Sequence, residues 1–315
     1  MNCSDESPAP AISRRAVLAA GVGIAVGRIG FSNAAAQAEE IIDIHAHIIS
    51  SDTQRYPSHP IGGNQSDWSK QRPQTFEQLV AGMDAAGVAK AAIVQASTYY
   101  GDDDSYLADS IAKNPKRFTG VGTIDMLAPD ALSVLKGWMR RGITGIRIFT
   151  GGKDMEMLVD PRAYPVWEYA QTKGFSIAIS TQGHGLPNVR FLLKRYPKVK
   201  VILDHAGSVK LDDGPPYVTA QPVFDLAEFR NLYLKITSNT FALALTGKST
   251  PEAYFGKLVS TFGADHIAYG SNLPATAGPM TKLIELARSG LASLKPADRA
   301  TILSGTAKRL YPALA

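Results

Sequence analysis

The feature that most constrains this chain is the recurrence of short apolar, β-branched runs along it. They fall at 41–44, 91–95, 118–122, 145–149, 175–179, 200–204, 232–236 and 267–270. Each is nearly continuous in apolarity, which suits parallel strands covered on both faces. Helical punctuation separates them. Thr75 and Gln78 have capping-box spacing. Asp160-Pro161 and Thr250-Pro251 each place an N-cap residue before a helix-starting proline. Gly87, Gly142 and Gly174 stand where a helix would close before the next strand. Eight strands alternating with helices fit a closed (β/α)8 (TIM) barrel or an open doubly wound sheet. The first strand is not followed by G-x-G-x-x-G, which favours the barrel. Two longer polar stretches, 50–74 and 210–221, read as loops after strands 1 and 6.

Residues 1–38 read as a segment outside the barrel. A polar start ends in Ser13-Arg14-Arg15, an apolar stretch runs from Ala16 to Val26, and small residues crowd Ala34 to Ala38. That order is the pattern of a secretory signal, and a disordered tail is the alternative. The stretch is too short to span a bilayer, which needs about 20 apolar residues. The paired arginines point to the twin-arginine route, hence to a periplasmic or secreted protein without a lasting membrane anchor. Cleavage after Ala38 would leave a barrel domain of residues 39–315. Lys plus Arg would fall from 33 to 30 and Asp plus Glu from 28 to 26, giving +4. These charges are scattered, so nothing marks a nucleic-acid surface. The sole cysteine, Cys3, would leave with the signal, so the domain must stand without disulfides. Oligomerisation is left open.

Barrel enzymes place their chemistry at the C-terminal ends of the strands. Strand 1 ends in Asp43-Ile44-His45-Ala46-His47. Histidines two apart on a strand share a face, so the two rings can converge on a metal or a substrate group. Two turn histidines satisfied by neighbours are the plainer reading. Strand 6 ends in Asp204-His205-Ala206-Gly207, and His205 gains weight by falling at a strand end in a barrel whose first strand already ends in histidines. Arg147, flanked by apolar residues in strand 4, must pair with a buried carboxylate or meet an anionic substrate. Strand 8 leads into Ser271-Asn272-Leu273-Pro274, where Asn272 can orient a hydroxyl or carbonyl but cannot serve as a carboxylate base. His184 lies in the loop after strand 5, within reach of the site or simply solvated. His59 is a weaker candidate, and His266, at a strand start, reads as structural.

Asp43-x-His45-x-His47, with Gly145-Ile146-Arg147, Leu203-Asp204-His205-Ala206-Gly207 and Gly270-Ser271-Asn272-Leu273-Pro274, resembles the amidohydrolase superfamily. Arg55-Tyr56-Pro57, Met83-Asp84, Gln95, Ser97 and Asp103-Asp104 extend the resemblance toward its lactone-acting branch. The resemblance implies hydrolysis of a lactone or similar ester-like ring bearing a carboxylate. His45, His47 and His205 would polarise the carbonyl, directly or through one divalent ion such as zinc or manganese. Arg147 would clamp the carboxylate, with Arg55, Gln95 and His184 as further substrate contacts. One departure stands out: hydrolases of this superfamily usually carry Asp where this chain has Asn272. Lactone isomerisation without an activated water, zinc-dependent decarboxylation or hydration, metal-independent action and ligand binding without turnover therefore remain alternatives.

Overall fold

The computed structural model describes residues 39–149 and 155–315, so residues 1–38, including the twin-arginine segment, and Thr150 at the end of strand 4 lie outside it. The strands are β1 (Ile41–Ala46), β2 (Val88–Val94), β3 (Phe118–Gly122), β4 (Ile143–Phe149), β5 (Ser176–Ser180), β6 (Lys200–Leu203), β7 (Leu232–Thr237) and β8 (Ile267–Gly270). They form one eight-stranded sheet in chain order, with parallel pairing from β1 through β8. The ring closes just past β8. There the Asn272 N–H donates to the His45 carbonyl at 2.7 Å, and the His47 N–H donates to the Leu273 carbonyl at 2.7 Å. The architecture is the (β/α)8 barrel.

Packing follows from the side-chain period of 2 along each strand. Ile42, Ile44, Ala92, Val94, Val121, Ala178, Ile202, Tyr233 and Ala268 form one apolar cluster together with Ala307, Leu310, Tyr311 and Leu314 of the C-terminal segment. That segment is held by Lys90 Nζ, which donates to the Leu314 and Ala315 carbonyls at 2.9 and 2.8 Å. Ser176 Oγ also donates to the Leu310 carbonyl at 3.0 Å. The alternate residues, such as Ile41, Ala91, Ile146, Ile177 and Val201, join the larger core beneath the helices. Each fully buried Ile or Leu contributes about 1.5–3 kcal/mol.

The helices used below are α1 (Phe76–Ala86), α2 (Ser105–Ile111), α3 (Ala131–Arg140), α4 (Tyr164–Lys173), α5 (Leu186–Arg195), α6 (Pro251–Phe262) and α7 (Met280–Gly290). The capping box of Thr75 and Gln78 opens α1, and Gly87 closes it at φ 69°. Thr250 caps α6 by accepting from the Ala253 N–H at 3.2 Å. Asp160 caps only a short 3-10 turn, Pro161–Ala163, which leads into α4. The stretch after β1 holds more structure than its sequence announces: a 3-10 turn at Ile61–Gly63 and a helical turn at Asp67–Gln71. Apolar periodicity cannot reveal so short a turn.

Candidate active site

The site begins with an irregularity in β1. Asp43 pairs with Ala91 and Ala46 with Ile93, so β1 carries an extra residue between them. A bulge re-aims side chains, and this one falls on Ile44 and His45. Asp43 pins it: its Oδ1 accepts from the His45 N–H at 2.9 Å and from the Ser271 N–H at 2.8 Å. Burial pushes the Asp43 carboxyl above its ordinary range. Gly270 permits the close approach of β8, because a Cβ there would lie 2.5 Å from the His45 Cβ.

The three predicted histidines meet. The His45 ring is 4.9 Å from His47, nearly perpendicular at 86°, and 4.9 Å from His205, tilted by 57°. His45 is fully buried, and both its ring nitrogens lack a hydrogen-bond partner. His47 Nδ1 lies 2.9 Å from the Val94 carbonyl. A carbonyl only accepts, so this nitrogen carries the proton and Nε2 keeps its lone pair. The His47 ring also stacks on Trp68 of the turn after β1, at 5.3 Å and 25°. His205 Nδ1 lies 2.7 Å from the Thr237 hydroxyl at the end of β7. Burial, joined by the cations nearby, brings His47 down to about 3 and His205 to about 4 and holds His45 well below the usual imidazole range. All three are therefore neutral at pH 7.

His205 owes its position to an unusual backbone. His205, Ala206, Gly207 and Ser208 have φ of 53°, 49°, 80° and 50°. Left-handed conformation costs a non-glycine residue about 1–2 kcal/mol, so the chain holds strain where the histidine leaves β6. Asn272 is left-handed as well, at φ 60°. Asn tolerates that region better than most residues. Its side-chain Nδ2 donates to the Thr276 hydroxyl at 3.0 Å, so part of its role is to shape the turn after β8.

Beneath the imidazoles lies a buried charge cluster. Arg147 Nε donates to Asp204 Oδ2 at 2.7 Å, and Lys235 Nζ sits 2.8 Å from Asp204 Oδ1. Asp204 and Lys235 are wholly buried and Arg147 is 7% exposed. His45 Nδ1 is 3.8 Å from Asp204 Oδ1. Burial alone would raise the Asp204 carboxyl, but Lys235 and Arg147 outweigh it and hold the group well below the usual carboxylate range. Burial lowers Lys235, with Asp204 opposing that shift. Among the described residues, Asp204 is the carboxylate within ion-pair distance of both cations, and Asp43 acts on Lys235 from farther away. Lys235 is the residue that sequence reading missed. It interrupts Leu232-Tyr233-Leu234-Lys235-Ile236 as Arg147 interrupts β4, and the same burial argument applies to it.

The other predicted substrate contacts have these surroundings. Arg55 is 66% exposed and pairs with Asp109 of α2 at 2.8 Å. Gln95 is buried, but its Nε2 donates to the Asp103 carbonyl at 2.6 Å. His184 and His59 are exposed. His266 stacks on Tyr233 at 4.9 Å and contacts the Arg230 carbonyl at 3.1 Å, a structural role. A cavity of about 590 Å3 opens beside the first loop, lined by Ile49, Gln65, Ser69, Lys70 and Tyr99 among others. No histidine lines it, so it belongs to the loop surface rather than to the chemistry.

Ligand atoms of His45, Asp204 and His205 lie within 4.8 Å of one another, the spacing of a metal site. Neutral imidazoles are the right donors for zinc, and the unpartnered nitrogens of His45 favour a ligand. The charge does not fit. Both oxygens of the only carboxylate in the set already face cations. A divalent ion roughly 5 Å from one such cation meets repulsion of about 7 kcal/mol at an effective dielectric constant near 20. As they stand, these residues hold a cationic cluster rather than a divalent-ion site.

A barrel with histidines at the ends of β1 and β6 defines a class, and the family comparison agrees: the amidohydrolase model matches residues 42–313. The chain belongs to that family and is a hydrolase. An L-fucono-1,5-lactonase of Burkholderia ambifaria is 25% identical over 241 residues, covering 75% of this chain and 80% of the relative. Among solved structures, a Pseudomonas putida protein assigned as a 2-pyrone-4,6-dicarboxylic acid hydrolase superposes with a TM-score of 0.72 at 18% identity, covering 88% of this chain and 99% of that one. An amidohydrolase from Burkholderia multivorans with bound zinc gives a TM-score of 0.70 at 20% identity, covering 87% of this chain and 99% of that one. At such identities the solved structures speak for the fold.

Proposed function

We propose that this protein is an exported hydrolase of a lactone or similar ester-like ring that bears a carboxylate. The observation that carries the reading is His45, buried and neutral, with two unpartnered ring nitrogens and Asp204 Oδ1 3.8 Å from Nδ1. Such an imidazole can take a proton from water as the water oxygen bonds to the lactone carbonyl carbon. Asp204 Oδ1, 3.8 Å from Nδ1, then faces the imidazolium. Collapse of the tetrahedral intermediate breaks the ring C–O bond, and the departing alkoxide recovers the proton from His45. The buried cations Arg147 and Lys235 favour an anionic substrate and its developing oxyanion. The lactonase name of the Burkholderia ambifaria relative supports the same substrate class.

Asn272 favours one second reading. Without a carboxylate base after β8, a hydroxyl of the substrate can replace water as nucleophile, and the product is an isomeric lactone. A panel of sugar-acid lactones in oxygen-18 water separates the two. Hydrolysis places one heavy oxygen in the acid product, whereas isomerisation changes ring size without label. Turnover of no lactone would overturn both readings and leave a zinc-dependent reaction or ligand binding without turnover. The metal reading, zinc or manganese, is decided by elemental analysis of untagged protein.

Export follows the twin-arginine reading of residues 1–38. Replacing Arg14 and Arg15 by Lys should retain the protein inside the cell, and unchanged export would refute that route. The partner implied is a small molecule, with no nucleic acid.

A further inference from the structure

We infer that Lys235 is a built-in cation standing where a divalent metal would otherwise be held, and that it keeps such an ion out of the His45–Asp204–His205 cluster. The donors for a metal are in place. Their ligand atoms lie within 4.8 Å of one another, and both nitrogens of His45 are buried without a partner. What the cluster lacks is a free carboxylate. Lys235 Nζ lies 2.8 Å from Asp204 Oδ1, the same oxygen that approaches His45 Nδ1 at 3.8 Å. Lys235 and His45 thus share one oxygen of the carboxylate, the oxygen a metal beside the imidazoles would need. Arg147 holds the other oxygen at 2.7 Å.

A wholly buried lysine in the middle of a barrel strand is a costly feature, and among the described residues Asp204 alone forms an ion pair with it. A neutral apolar residue would fill the position with less penalty. The charge therefore serves the site: it supplies positive potential beside the imidazoles without an exchangeable ion. This inference does not rest on the identity of the substrate.

The test is zinc binding rather than activity. Metal-free wild type, Lys235→Met, Lys235→Gln and Lys235→Arg are titrated with zinc alone by calorimetry, and zinc is counted by elemental mass spectrometry after dialysis. Wild type and Lys235→Arg should retain no stoichiometric zinc. Folded Lys235→Met or Lys235→Gln should retain about one zinc per chain, with an affinity at least about tenfold above wild type. Adding His205→Ala should abolish that gain. Stoichiometric zinc on wild type as tight as on Lys235→Met would overturn the inference. So would folded Met and Gln variants that both fail to gain zinc. Should both variants unfold, the wild-type titration decides: retained zinc overturns the inference, and no zinc together with none on folded Lys235→Arg supports it.

Discussion

Asp204→Asn is the perturbation whose consequence follows most directly from the structure. Asn conserves volume, so no cavity opens and only the charge is lost. At an effective dielectric constant near 20, a pair of unit charges 2.7–2.8 Å apart is worth about 6 kcal/mol before desolvation. Desolvation offsets much of that, and breaking a buried pair typically destabilises by about 3–5 kcal/mol because a charge is left stranded. Here two cations are stranded, so the upper end, about 5 kcal/mol, is expected. For a barrel of this size that lowers the melting temperature by roughly 10–20 °C. Arg147→Met leaves the Asp204–Lys235 pair neutral and should destabilise far less. The assay is urea unfolding at pH 7, followed by tryptophan fluorescence and circular dichroism. Because Lys235 and Arg147 hold the Asp204 carboxyl below its unfolded value, its contribution is complete above about pH 4 and is lost only in stronger acid. In Asp204→Asn the burial-driven fall of Lys235 is no longer opposed, so its deficit should shrink as pH rises from 5 to 8 and the buried lysine sheds its proton. A deficit under about 1 kcal/mol, or one equal to that of Arg147→Met, would refute the reasoning.

The histidines set a second pH dependence. Their folded values lie below the unfolded value of about 6.5, so the unfolded state binds more protons and stability falls as pH drops below 6.5. His47, at about 3 in the fold, should account for about 2 kcal/mol between pH 7 and pH 5. Urea midpoints across that range measure it, and His47→Asn should flatten the slope. Gly270→Ala would put a methyl against the His45 Cβ, so lactone turnover should fall about a hundredfold as β1 and β8 separate; unchanged turnover would mean that the contact is unimportant. His205→Ala should lower turnover at least about tenfold with an unchanged circular dichroism spectrum, and full activity would remove His205 from the site.

The barrel was legible because its strands are β-branched runs covered on both faces, and because capping residues and left-handed glycines punctuate the helices. The convergence of His45, His47 and His205 was legible from strand periodicity and from the rule that chemistry gathers at strand ends. Features that depend on tertiary context were not legible. The bulge at His45 follows from pairing with β2, which no local pattern encodes. The left-handed run at 205–208 contains Ala206 and Ser208, residues that do not signal positive φ. Lys235 was hidden by an otherwise apolar strand, although a charge in such a run is itself a signal. Arg55 shows the reverse: the family resemblance implied a substrate contact, and its guanidinium faces Asp109 at the surface.

The central claim is that a neutral His45, rather than a carboxylate after β8, moves the proton in lactone opening. The most direct measurement is the kcat of wild type and His45→Asn on the best lactone of the panel, each checked for folding by circular dichroism. The account predicts a loss of about 100-fold or more in kcat with the fold intact. A His45→Asn protein that opens the lactone at the wild-type rate would contradict it.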